Sequence, residues 1–159
     1  MAIPMYGQNK AGSGIDKKTG TFIHNDGASA LTLTAEDSGA TILISGGTAG
    51  ASACNLPSCI GVDGLEFTFL LTAANGTGDW DIDAKDGTEF FIGSITSVEG
   101  TNDVGIDFNG SSHDQCSLAA SKGAVGDIVR IISAGGKWYI RGTTNDQDGW
   151  AVGTGSANT

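Results

Sequence analysis

The chain has 159 residues, with 18 Asp and Glu against 8 Lys and Arg, and a formal net charge of −10. It has no basic stripe of the kind a phosphate backbone requires, which argues against nucleic acid as a partner. No run of apolar residues is long enough to span a bilayer, and the N-terminus lacks the apolar core of a signal peptide. A soluble protein made without export and without a membrane partner is therefore expected.

This length suits one domain, burying about two thirds of the surface that the unfolded chain exposes. Glycine is abundant at 26 residues and proline rare at 2, and strand-forming runs alternate with Gly, Asn, Asp and Ser clusters. No apolar 3.6-residue period is sustained anywhere. The expectation is all-β: a single β-sandwich or barrel-like domain of about ten short antiparallel strands over residues 21–152. An extended N-terminal arm, 1–20, precedes it, and a flexible C-terminal tail, 153–159, follows.

The arm, MAIPMYGQNKAGSGIDKKTG, has no period that would give it a face of its own. It carries Lys10, Lys17 and Lys18 against Asp16, a balance of +2 that leaves −12 for residues 21–159. Fully extended, 20 residues reach about 65 Å, against a radius of gyration near 15 Å for a compact domain of this size. The cluster Ile3, Pro4, Met5, Tyr6 is more apolar than a solubilising tail.

From Thr21 the pattern is regular. Phe22 and Ile23, Leu31 and Leu33, then Ile42 and Ile44 mark strands, with turn chemistry between them at Ala35-Glu36-Asp37-Ser38-Gly39. The segment around Pro57 reads as an edge strand plus loop, because proline donates no ladder hydrogen bond. Leu65, Phe67, Phe69 and Leu71 alternate as the most buried strand. In Asp79-Trp80-Asp81-Ile82-Asp83 the apolar pair points inward and three carboxylates outward. Phe90–Ile95, Val104–Phe108 and Cys116–Ala119 add further strands, and Trp150 and Val152 dock a last short one.

The stretch Gly123 to Gly142 reads as one long hairpin turning through Ala134 to Lys137 at Gly135-Gly136. With Val129 and Ile131 inward, Trp138 and Ile140 share their face, and Arg130, Tyr139 and Arg141 point outward together. Adjacent like charges in a ladder are unfavourable, so an acid is expected beside them, from this chain or from another subunit.

Chemical motifs are sparse. Asp79, Asp81 and Asp83 have the spacing that opens a calcium loop, but the sixth position is Ala84 rather than Gly and the twelfth is Phe90 rather than Glu. Strand alternation accounts for the triplet without a metal. His113, Asp114 and Cys116 are neighbours in one loop, and consecutive loop residues rarely converge on one substrate atom as a nucleophile, base and orienter must. No nucleophile elbow, phosphate loop or zinc-protease motif appears. These residues point away from an enzyme, with no catalytic residue, no metal and no cofactor. Three cysteines, Cys54, Cys59 and Cys116, read as free buried thiols, although Cys54 and Cys59 are close enough in sequence to bridge.

Several segments together carry a resemblance: LTLTAEDSGATILIS, then NLP, then GLEFTFLL, then DWDIDA, then GDIVRIISAGGKWYIRG, after the opening MAIPMYGQNKAG. This series resembles a recurrent β-rich domain in structural proteins of tailed bacteriophages, especially those of cyanobacteria and other aquatic hosts. The resemblance covers most of residues 1–142; the Cys54 to Cys59 segment departs from it. It implies a virion protein on the capsid surface, made in the host cytoplasm, and more narrowly a head decoration or cement protein. Such a protein binds the assembled lattice of the major capsid protein, often as a homotrimer. On that expectation Ile3, Met5, Tyr6, Lys10, Lys17 and Lys18 form a capsid-binding arm, and Arg130, Tyr139 and Arg141 a subunit interface. The alternative is a tail fibre or spike tip that binds host glycan, with Tyr139 and Trp150 as stacking aromatics. A tail-spike hydrolase is a third.

Overall fold

The structure is a computed structural model describing residues 21–45, 52–85, 87–98 and 105–153. Twelve strands occur among these residues. They are β1 (Phe22–Asn25), β2 (Leu31–Thr32), β3 (Thr41–Ile44), β4 (Ser52–Asn55), β5 (Glu66–Leu71) and β6 (Trp80–Asp83), followed by β7 (Phe91–Ser97), β8 (Gly105–Asn109), β9 (Gln115–Leu118), β10 (Ile128–Ala134), β11 (Lys137–Thr144) and β12 (Trp150–Gly153). A seven-stranded sheet in the order β1-β3-β5-β10-β11-β7-β8 packs on a five-stranded sheet in the order β12-β9-β6-β4-β2. The all-β sandwich expected from the sequence is the fold found.

The strand directions differ from the expectation. The pairings β1–β3, β3–β5, β2–β4, β4–β6 and β11–β7 are parallel. Odd-numbered β1, β3 and β5 stack in one sheet and even-numbered β2, β4 and β6 in the other, so the chain coils three times around the core before β7. Each link crosses from sheet to sheet instead of folding back on its own strand, and successive strands in a sheet therefore run the same way.

Alternation decides what lies between the sheets. Leu65, Phe67, Phe69 and Leu71 are fully buried, as are Trp80 and Ile82 across from them and Val129, Ile131, Trp138 and Ile140 of the long hairpin. Phe69 meets Trp80 across the core with ring centroids 5.7 Å apart, and Phe67 meets Trp138 at 6.1 Å. Aromatic pairs at these separations add to simple area burial. The indole N–H of Trp80 donates to Asn25 Oδ1 at 3.1 Å, tying the first coil to the third.

The hairpin forms as its sequence indicates. Arg130 stands opposite Arg141, Ile131 opposite Ile140 and Ala134 opposite Lys137. The two loop residues, Gly135 and Gly136, both have positive φ, 56° and 72°, which glycine adopts without strain in a tight turn matched to strand twist. Gly93 in β7 is constrained differently. Its φ is 136°, and a Cβ there would lie 2.0 Å from the Ile140 carbonyl oxygen, so only glycine lets β7 close against β11.

Two smaller expectations are corrected. The strand before Pro57, β4, is flanked by β2 and β6 and is not an edge; Pro57 lies past the end of the strand and removes no ladder bond. In β12 Trp150 is buried, whereas Val152 remains 38 % exposed.

Candidate functional site

The outer face of the seven-stranded sheet is where the expected interface residues meet. Register across the strands arranges this face in rows. One row runs Phe22, Thr41, Thr68, Arg130, Arg141, Ser94, Asp107. The next runs Glu66, Ile132, Tyr139, Ile92, Asn109. Tyr139 is 49 % exposed and Phe22 61 %. Arg130, Ile132, Tyr139 and Arg141 line a shallow depression of about 130 Å³.

The two arginines are not equivalent. Arg130 donates from Nε to Glu66 Oε1 at 2.9 Å and from Nη2 to the same oxygen. This is the acid expected beside the pair, and it comes from the chain itself, one residue along β5 from the position opposite Ile131. Arg141 forms no ion pair with any described residue. A partly apolar face with an unpaired cation therefore lies on a strongly acidic chain.

The outer face of the five-stranded sheet has the opposite character. Asp81 stands opposite Ser117 and Asp83 opposite Gln115. The Ser117 hydroxyl donates to Asp81 Oδ1, and Gln115 Nε2 donates to Asp83 Oδ1 at 2.9 Å. Asp79 accepts from the Ala120 N–H at 2.8 Å. The acidic triplet points to the outer side as expected, but it is not uniformly solvated: Asp83 is buried. Desolvation pushes both Asp81 and Asp83 above the ordinary aspartate range. For Asp81 the Ser117 hydrogen bond pulls back and the Asp79 charge adds to the rise; for Asp83 the Gln115 bond opposes, and Asp81 and Asp114 add. Among the described residues, no three His, Cys, Asp or Glu side chains gather as metal ligands would.

Cys54, Cys59 and Cys116 are free thiols, all buried. Cys54 and Cys116 flank Ile82 in one row of the five-stranded sheet, and burial drives both thiols well above their ordinary range, assisted by Asp83 and Asp81 respectively. The neighbours His113 and Cys116 do not converge. Cys116 belongs to the core, while His113 Nδ1 accepts the Asn109 N–H at 3.3 Å and its ring packs edge-on against Phe108.

Two buried carboxylates escaped sequence reasoning. Asp127 accepts from Ala124 N–H, the Thr144 hydroxyl, and both Asn145 N–H and Nδ2, which fixes the loop leading to β12. Glu89 accepts from the Ser58 hydroxyl and, at 3.0 Å, from the Cys59 N–H. A cavity of about 260 Å³ beside Asn55, Pro57, Ser58 and Lys85 lies next to this pair, but Glu89 directs both oxygens toward Ser58 and Cys59. Each carboxylate serves to hold a loop.

The arm residues Ile3, Met5, Tyr6, Lys10, Lys17 and Lys18 and the tail beyond Gly153 lie outside the described residues. No helix among those described is long and apolar enough to cross a membrane. No protein-family model, no curated protein and no solved structure matches this chain.

Proposed function

We propose that this chain is a structural protein of a phage head that binds the assembled lattice of major capsid subunits, joins copies of itself through one sheet face, and performs no reaction. The observation that carries the reading is the outer face of the seven-stranded sheet, where exposed Tyr139 and Arg141, which has no ion-pair partner among the described residues, share one surface of a chain with net charge −10. Apolar surface rimmed by charge is characteristic of protein contacts. The resemblance of the sequence to phage structural domains supports the same reading.

A protein that binds only the assembled shell stabilises it by mass action. The arm supplies that grip in this reading, with Ile3, Met5 and Tyr6 as apolar anchors and Lys10, Lys17 and Lys18 facing capsid acids. Deletion of residues 1–20 from the full chain tests it. The truncated protein is expected to be lost from purified particles; full occupancy without the arm would contradict the assignment.

The glycan-binding alternative rests on fewer residues than the sequence offered. Trp150 is 1 % exposed and unavailable to stack on a sugar, which leaves Tyr139 of the two aromatics.

A further inference from the structure

We infer that the outer face of the seven-stranded sheet is self-complementary and pairs two copies of this chain about a two-fold axis running along β7. This rests on reading that face as an interface between copies, and not on the virion role. Arg141, Ser94 and Asp107 occupy one row on three adjacent strands, with Ser94 in the middle. Strand spacing of about 4.8 Å puts the arginine and the aspartate at equal distances on either side of Ser94, roughly 10 Å apart. Neither has an ion-pair partner among the described residues.

A half-turn about β7 lays this face on its copy and brings Arg141 over Asp107 of the second copy, and Asp107 over Arg141 of the second copy. The same rotation sets Tyr139 over Asn109 of the second copy and Ile92 over its own counterpart, since Tyr139, Ile92 and Asn109 form the adjoining row. Charges thus pair twice around an axis lined by Ile92, Ser94 and Thr96, which carry no charge. The small side chains of Ser94 and Thr96 on β7 allow the sheets to approach to about 10 Å, the usual face-to-face distance.

Other arrangements are worse. An axis along β11 puts Arg141 against Arg141, and one between β10 and β11 puts Arg130 against Arg141. Stacking this face on the acidic outer face of the five-stranded sheet joins surfaces that point in opposite directions, and such head-to-tail contacts continue without closing. A flat face covers one other flat face, so this contact yields two copies, in place of the three that the resemblance implies.

Sedimentation velocity on the full chain at tens of micromolar tests the pairing. The unmodified protein is expected as a dimer. Arg141→Asp and Asp107→Arg, each alone, are expected to weaken it at least tenfold, and the double variant to restore it, because both reversed charges then meet again. Ser94→Arg, which sets two arginines face to face on the axis, is expected to give monomer. A monomeric or trimeric parent, single variants that leave the mass unchanged, or a double variant that does not recover would overturn the inference. Binding to particles is a separate readout. Loss of dimer with particle binding intact speaks to the symmetry; loss of particle binding with the dimer intact speaks to the capsid role.

Discussion

Arg130 and Arg141 stand directly opposite each other in the β10–β11 ladder, and among the described residues only Arg130 has a carboxylate, Glu66, against its guanidinium. The ladder tolerates two neighbouring cations because β5 lies alongside β10 and brings that carboxylate within reach. The Arg141 charge has no such carboxylate among the described residues.

Glu66→Gln removes the countercharge while keeping an oxygen for Arg130. Arg130 is exposed and Glu66 only half-buried, so the loss in stability should be modest, under about 1 kcal/mol, and smaller in high salt. Urea unfolding at low and high ionic strength measures it. A loss of several kcal/mol, or one that does not respond to salt, would show that Glu66 acts through packing instead.

Asp83 gives a pH-dependent prediction. Its carboxyl, raised mainly by desolvation, holds a proton more tightly in the folded protein than in the unfolded chain. Stability must then fall as pH rises from the ordinary aspartate value, about 3.9, through the raised folded value, and the cost is complete above it. Asp83→Asn keeps an oxygen for Gln115 and removes the charge. At pH 7 it should unfold at higher urea than the parent, by about 1 kcal/mol or less, because the Gln115 hydrogen bond offsets part of the desolvation. The advantage should vanish below about pH 3.9. A variant destabilised equally at both pH values would contradict the assignment.

All three thiols are buried, and those of Cys54 and Cys116 are held in the protonated form by their surroundings. The thiolate is the reactive species, so a disulfide reagent should modify none of the three in the native protein within minutes and all three in denaturant. Rapid native labelling would mean that the core opens readily around β4 and β9.

Much of this was written into local pattern. The hairpin register follows from two glycines between alternating arms, and the burial of Phe67 and Phe69 follows from period-2 alternation. Strand direction does not, because alternation of buried and exposed residues is the same whether neighbours run parallel or antiparallel. The three-fold coil of β1 to β6 depends on where each link crosses between sheets, which no short motif encodes. Partners distant in sequence were equally hidden. Arg130 finds Glu66 64 positions away, and Asp127 finds Thr144 and Asn145 17 and 18 positions away. Only the assembled sheet brings them together. Asp127 looks like any loop aspartate until those donors surround it.

The most direct test of a structural head protein is its copy number in purified particles, measured by quantitative mass spectrometry against the major capsid protein. Lattice binding predicts hundreds of copies in a fixed ratio to that protein. A few dozen copies or fewer, tracking tail components, would contradict the account and favour the fibre reading.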